Sequence, residues 1–141
     1  KKNIIVTAID KDQEKLNKYK TFNNINTICF DLETKEEWPL LREHYDVIIV
    51  VNYLFRPKIK KLITLLKKDG FLFYETFSVG NEKYRSPKNP DFLLKDKELI
   101  DIFGEELLPI SFYDGKIKGK NISIKQMSGF KKGVFKKTPC Y

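Results

Sequence analysis

Short apolar runs alternate with polar, lysine-rich stretches along most of this chain. The strongest run is VIIVV at residues 47–51, and a continuous run of this kind is typical of a strand buried on both faces of a parallel sheet. Shorter runs predict further strands, at residues 4–9, 25–30 and 71–75. Apolar residues at helical spacing predict helices, at residues 12–19, 58–68 and 95–103. The alternation predicts an α/β fold with an open, mainly parallel sheet.

The last part of the chain predicts an antiparallel hairpin. Residues 107–113 and 121–126 have the pattern of strands, and Asp114-Gly115 between them is a typical turn signal. Residues 127–141 contain two Lys-Lys pairs and are expected to form a flexible tail. Because the chain shows no repeat and no linker composition, residues 1–141 are expected to form a single domain.

Each strand of the predicted parallel part ends in polar residues. In order along the chain these are Asp10, Asp31, Asn52-Tyr53 and Glu75-Thr76. Ligands of open α/β sheets bind beyond the carboxyl ends of the strands. Four polar strand ends along one edge therefore predict a crevice lined for a ligand.

A long irregular segment at residues 76–94 is rich in glycine, asparagine and proline. A loop of this length in a small domain is usually functional or disordered. We expect it to form a substrate lid with Tyr84, Arg85, Asn89 and Phe92, and Asp91 in the same loop is a candidate base; the alternative is an ordered surface excursion.

The charge and the cysteine content indicate which partners and which location the sequence favours. The net charge of +8 makes a nucleic-acid partner possible, but only three of the 27 basic residues are arginine, so this partner is not favoured. The two cysteines lack metal or disulfide spacing, which favours a cytoplasmic location, with Cys29 in the core. No apolar run approaches the ~20 residues of a membrane span.

This arrangement resembles the class I S-adenosylmethionine-dependent methyltransferases, from the second strand of their Rossmann-like sheet onward. The resemblance covers nearly all of residues 3–126 and implies S-adenosylmethionine as cofactor. It implies that Asp10 in VTAIDKD holds the ribose hydroxyls and that Asp31-Leu32 in ICFDLE receives the adenine. It also implies that Asn52 and Tyr53 in DVIIVVNYLFRP face the methionine end of the cofactor.

The same resemblance implies that a small molecule accepts the methyl group and binds in that crevice next to the methionine end of the cofactor. The expected substrate-binding residues are Tyr53, Glu75, Arg85, Asp91 and Phe92. The string YETFSVGNEKYRSPKNPDFLL is similar to the small bacterial branch of tellurite-resistance-type methyltransferases. NPDF at residues 89–92 is like the motif of base N-methyltransferases but follows the fifth family strand rather than the fourth, so base methylation is disfavoured.

The first strand of that family and its G-x-G-x-G loop have no counterpart here. We therefore expect the chain to be a fragment of a longer protein and to bind the cofactor weakly by itself. The alternative is a degenerate, non-catalytic module that binds RNA or a protein partner. A nucleotide-binding oxidoreductase is a third hypothesis, because an acid such as Asp10 also binds ribose in dinucleotide folds.

Two further residues are weaker candidates. His44 is the only histidine, but it precedes its strand and is expected at the amino edge, away from the crevice. Trp38 could cover the adenine or fill a gap between helix and sheet.

Overall fold

The computed structural model describes residues 3–133, and in these residues it forms six strands and three short α-helices. The strands are β1 (Val6–Asp10), β2 (Ile25–Cys29), β3 (Tyr45–Val51), β4 (Leu66–Phe77), β5 (Leu108–Lys118) and β6 (Ile122–Lys131). The helices are α1 (Gln13–Asn17), α2 (Lys61–Leu65) and α3 (Glu98–Phe103). The chain divides into two units, one ending at Pro39 and one beginning at Leu40. The single domain expected over residues 1–141 stays a prediction.

The first unit is a β-α-β arrangement. Strands β1 and β2 pair in parallel, with Val6 opposite Ile25 and Asp10 opposite Cys29. The intervening helix α1 begins after Asp12, whose carboxylate accepts hydrogen bonds from the backbone N–H groups of Glu14 and Lys15. Of the residues of α1 only Leu16 is buried, so the helix has a single apolar anchor.

The second unit is a four-stranded sheet in the order β3-β4-β6-β5. Strand β3 pairs with β4 in parallel, whereas β4, β6 and β5 are joined by antiparallel pairing. The predicted α/β class and the closing antiparallel hairpin are therefore confirmed.

The core of this unit lies between one sheet face and the helices. Leu72, Tyr74 and Phe130 are buried on that face, and the ring of Phe103 in α3 lies 6.1 Å from Tyr74 and 5.3 Å from Phe130. Leu99 is fully buried on the same helix.

The other face of this sheet is open and apolar, which corrects the prediction that β3 is buried on both faces. Val47, Ile49 and Val51 are 48%, 69% and 52% exposed, and Phe73 beside Ile49 is 42% exposed. The physical reason is that, within the second unit, the packed helices cover only the opposite face.

The helix predicted at residues 58–68 is wrong at its end, because α2 stops at Leu65 and β4 begins at Leu66. The Lys132 ammonium donates to the carbonyls of Ile63 and Leu66, at 2.8 and 2.9 Å. The backbone N–H of Asp69 also donates to the carbonyl of Lys132. These contacts join the end of the run LITLL to the residue that follows β6, so the helix ends and β4 begins. Helices α1 and α3 are likewise shorter than the patterns predict.

The predicted turn at Asp114-Gly115 is also wrong, since both residues lie inside β5. Asp114 accepts hydrogen bonds from the side chains of Ser78 and Gln126. These contacts hold Asp114 inside the strand, so it does not form the tip of a hairpin. At Gly115 a Cβ atom would lie 3.1 Å from the Tyr113 hydroxyl. The connection between β5 and β6 instead covers residues 119–121.

The final strand continues to Lys131, five residues into the segment predicted to be a flexible tail. Phe130 is fully buried, which explains why this segment is held in the sheet. The part of the predicted tail at residues 134–141 lies outside the described residues. Among residues 3–133, no helix has both the length and the apolar character needed to cross a bilayer.

Candidate functional site

Asp10 ends β1 at the carboxyl edge of the first unit. One carboxylate oxygen accepts a hydrogen bond from the backbone N–H of Asp12 at 2.8 Å, which fixes the side chain in a tight turn. Asp12, not Asp10, caps helix α1. The second oxygen of Asp10 has no partner among the residues that the structure describes, so it can accept a ligand hydroxyl.

Asp31 lies two residues beyond the end of β2, at the same edge. Its Oδ1 atom accepts from the backbone N–H of Glu33 at 2.9 Å, and the Trp38 indole donates to the Leu32 carbonyl at 3.0 Å. Because β1 and β2 are parallel neighbours with Asp10 opposite Cys29, the two carboxylates occupy adjacent strand ends. Trp38 thus braces the Asp31-Leu32 turn.

Asn52 and Tyr53 follow β3 at the carboxyl edge of the second unit. Asn52 has a left-handed backbone (φ 53°), and its N–H donates to the carbonyl of Glu75 at 2.8 Å. The hydroxyl of Tyr74 donates to the carbonyl of Tyr53 at 2.6 Å. Burial and the neighbouring Tyr53 raise the pKa of Tyr74, so it stays a protonated donor. The turn after β3 is therefore held by the strand beside it.

Glu75 faces the open side of the sheet near the end of β4 and pairs with a lysine. Lys125 Nζ lies 2.7 Å from Glu75 Oε1 and 4.9 Å from the centre of the Phe77 ring. The Lys125 side chain is only 12% exposed, whereas Glu75 is 34% exposed. Lys125 is therefore a mostly buried partner of Glu75 and is not a solvated surface charge.

The long loop after β4 is bound to the sheet along its length. The fully buried Asn81 side chain donates to the carbonyls of Arg85 and Pro87 and accepts from the backbone N–H of Ile124. Ser78 and Leu94 form an isolated bridge, and Leu94 is buried. Arg85, Asp91 and Phe92 are all exposed on this loop. They share one segment, as predicted, but that segment is anchored at both ends.

An ion pair between Arg56 and Glu98 holds the second half of this loop. The Arg56 guanidinium donates to both oxygens of Glu98, at 2.7 and 2.9 Å, and to the carbonyls of Asp91 and Leu93. Burial alone would raise the pKa of Glu98, but the hydrogen bonds from Arg56 and from the Lys95 backbone outweigh it and hold that pKa below its usual range. The hydrogen bond to Glu98 also raises the pKa of Arg56.

The sequence predicts His44 away from the crevice and Cys29 in the core. His44 directly precedes β3 at the amino edge of the sheet, where the sequence pattern places it. Cys29 is exposed, with its thiol 3.5 Å from the Lys11 carbonyl, so its prediction as a core residue is wrong. The reason is that Cys29 ends its strand instead of lying within it.

Sequence patterns missed Lys125, Glu98 and the role of Arg56. Lys125 and Glu75 are fifty residues apart, and Arg56 and Glu98 are 42 apart. Alternation within β6 places Lys125 on the same face as Met127, but no local pattern pairs it with Glu75. The one signal in the sequence is that Glu75 and Lys125 both lie near the ends of predicted strands.

Solved structures with the same fold cover most of this chain. The N-methyltransferase NodS from Bradyrhizobium japonicum WM9 matches with 16% identity and a TM-score of 0.67, over 92% of this chain and 74% of that chain. TehB from Haemophilus influenzae matches with 15% identity and a TM-score of 0.69, over 91% and 50%. A Burkholderia thailandensis 1,6-didemethyltoxoflavin-N1-methyltransferase, with bound S-adenosylhomocysteine, matches with 12% identity and a TM-score of 0.62, over 91% and 61%.

At these identities the similarity establishes the fold, which is that of the S-adenosylmethionine-dependent methyltransferases. The chain spans between half and three quarters of the length of these three proteins. The fold also matches the [4+2]-cyclase SpnF, with a TM-score of 0.65 at 10% identity, so it is compatible with other chemistry. No protein-family model and no curated protein matches the chain.

Proposed function

We propose that this chain is the cofactor- and acceptor-binding part of an S-adenosylmethionine-dependent methyltransferase that acts on a small molecule. The observation that carries the proposal is the pair of carboxylates at adjacent parallel strand ends, Asp10 and Asp31. Each is fixed by its own turn through one oxygen. An ionised carboxylate only accepts hydrogen bonds, so each suits the hydroxyl or amino donors of an adenosine.

The carboxylates of the first unit have the acceptor chemistry that suits the adenosine part of this cofactor. Asp10 would accept from the ribose hydroxyls, Asp31 from the adenine amino group, and Leu32 would contact the adenine edge. Asn52 and Tyr53 are proposed contacts for the methionine end, and the left-handed Asn52 directs the chain away from β3. When bound, the cofactor supplies a methyl group on a positively charged sulfur. The chain's own contribution is to bind and orient, which can account for much of a rate enhancement.

The acceptor side is proposed to comprise Tyr53, Glu75, Arg85, Asp91 and Phe92. Glu75 is supported best, because its carboxylate is partly exposed at the carboxyl end of β4. A loop anchored through Asn81 and Arg56 would present the other residues in a fixed arrangement instead of closing as a free lid. The tellurite-resistance-type branch remains a proposal that rests on the sequence resemblance.

A longer parent protein is also part of the proposal. Strand β3 is an edge strand of its sheet, and the adjoining open face exposes Val47, Ile49 and Phe73. The matched structures are longer than this chain. A preceding strand with a glycine-rich loop would pair with such an edge.

Three of the 24 lysines of this chain are engaged by other groups of the second unit, which removes them from any surface for RNA. Lys125 pairs with Glu75, Lys132 donates to two carbonyls, and Lys67 lies 3.4 Å from Asp46. Lysines engaged in this way are less available to neutralise phosphates.

Isothermal titration with S-adenosylhomocysteine tests the proposal. We expect the full-length gene product containing these residues to bind it, with no comparable binding of NAD, and the chain as printed to bind weakly. Absence of binding by the full-length product would overturn the proposal. RNA binding that falls steeply with salt, together with that absence, would identify the degenerate module instead.

A further inference from the structure

Glu75 and Lys125 form an ion pair on a sheet face that is otherwise apolar around them. Strand pairing places Val51 and Met127 on either side of Glu75, and Phe77 opposite Lys125. Met127 is 37% and Val51 52% exposed, so the pair is framed by accessible apolar groups at the carboxyl end of β4. Tyr113, opposite Met127 on β5, extends this frame.

Stability alone does not account for this pair. Removing most of a lysine side chain from water carries a desolvation cost that the attraction between the charges often fails to exceed. Apolar pairs of similar size often stabilise a fold at least as well as a buried ion pair. The ammonium instead lies against the Phe77 ring and beside a carboxylate whose Oε2 atom has no partner among residues 3–133. The pair thus keeps an acceptor and a donor side by side.

We propose that the Glu75–Lys125 pair recognises the acceptor molecule through a neutral, planar group that carries an N–H donor next to a hydrogen-bond acceptor. An amide or an amino-substituted nitrogen heterocycle has this pattern. The carboxylate accepts from the N–H and the ammonium donates to the neighbouring oxygen or ring nitrogen. Phe77 and Met127 offer apolar surface to the flat part of the ligand.

The same chemistry favours a neutral ligand over a charged one. A carboxylate or phosphate would meet the Glu75 carboxylate, and a free ammonium would meet Lys125. This inference rests on the proposed function, since it treats this end of the sheet as the acceptor side.

The single methionine of the chain provides a direct probe. The chain is labelled with ¹³C at the Met127 methyl group and titrated with benzamide. Acetophenone, which replaces the NH₂ of benzamide by a methyl group, and benzoate, which replaces it by an anionic oxygen, are matched control ligands. We expect saturable shifts of the Met127 signal with benzamide and at least about tenfold weaker binding of both controls. This test needs only the unmodified chain. Equal binding of benzamide and acetophenone, or no saturable shift with benzamide, would overturn the proposal.

Variants then locate the donor and acceptor. Lys125→Met is expected to remove benzamide binding, and Glu75→Gln to reduce the preference over acetophenone to less than about threefold. Lys118→Met, at an exposed position in the hairpin, should leave both unchanged. Unchanged benzamide binding by a folded Lys125→Met variant would contradict the proposal. A parallel titration with S-adenosylhomocysteine tests the proposed function separately. If the cofactor product fails to bind, the proposed function is contradicted, whereas the role of the Glu75–Lys125 pair is still decided by the preference for benzamide over its controls.

Discussion

Single side chains in this protein connect segments that are distant in sequence. Arg56 contacts Glu98, Asp91 and Leu93, and so joins the turn after β3 to the long loop and to helix α3. Its planar fork makes the bidentate contact with Glu98 that a lysine could not reproduce. Tyr74 plays a similar part between β4 and the turn at Tyr53.

Arg56→Met is expected to lower the free energy of unfolding by about 3 kcal/mol, because it leaves the Glu98 carboxylate without its counter-ion and two carbonyls without their donor. Urea denaturation followed by circular dichroism measures the change. Arg42→Met, at an exposed arginine, is the matched control and should change stability by less than about 0.5 kcal/mol. Equal effects of the two substitutions would show that the ion pair contributes nothing.

The lowered pKa of Glu98 predicts a pH dependence of stability. A carboxyl group whose pKa is lower in the folded than in the unfolded state stabilises the fold above its unfolded pKa, about 4.3 for glutamate. That stabilisation is lost as the pH falls through the folded pKa. We therefore expect Glu98→Gln to flatten the loss of stability below about pH 4.5. Parallel acid unfolding curves for the two proteins would argue against this role of Glu98.

At the scale of elements, strands were more predictable than helix ends. Strands β1, β2 and β3 depend on local apolar runs, and their approximate positions follow from the sequence. The end of α2 does not, because LITLLKK has good helical spacing and groups distant in sequence bind the carbonyls that end it. Lys132 donates to those of Ile63 and Leu66, and the backbone N–H groups of residues 43 and 44 donate to those of residues 64 and 65. The Asp114-Gly115 signal failed for the same reason, since Ser78 and Gln126 bind Asp114 inside β5.

Lys132→Met tests the account of the end of α2. Loss of the ammonium leaves the carbonyls of Ile63 and Leu66 without these donors, and we expect a loss of about 1–2 kcal/mol in the free energy of unfolding. Lys68→Met, at an exposed lysine in the first part of β4, is the control. Hydrogen exchange should also become faster at the amide groups of Asp69 and Lys132, because the first donates to the Lys132 carbonyl and the second to the Gly70 carbonyl. No change in stability or exchange would contradict the account.

At the scale of the whole molecule, the candidate site was only partly visible in the sequence. Asp10, Asp31 and Glu75 lie at strand carboxyl ends, as the pattern of polar strand ends predicts. The turns that orient the first two carboxylates, and the lysine that pairs with the third, follow from tertiary structure. The loop predicted as a substrate lid is anchored by Asn81 and Arg56, which bind its backbone and are not evident from local sequence.

The net charge of +8 has a related explanation. Lys132, Lys131 and Lys125 count toward this charge although they donate to carbonyls, lie over an aromatic ring and pair with a carboxylate, respectively. Net charge by itself is therefore a poor guide to the ligand of this protein.

The most direct test of the central claim is the affinity of the full-length gene product for S-adenosylhomocysteine with and without the Asp10 carboxylate. We expect Asp10→Asn to weaken binding by about tenfold or more, because the ribose hydroxyls lose a charged acceptor. Asp96→Asn, at an exposed position in the second unit, should leave the affinity unchanged. Equal dissociation constants for the unmodified and Asp10→Asn proteins would contradict the assignment of the β1 edge to the cofactor.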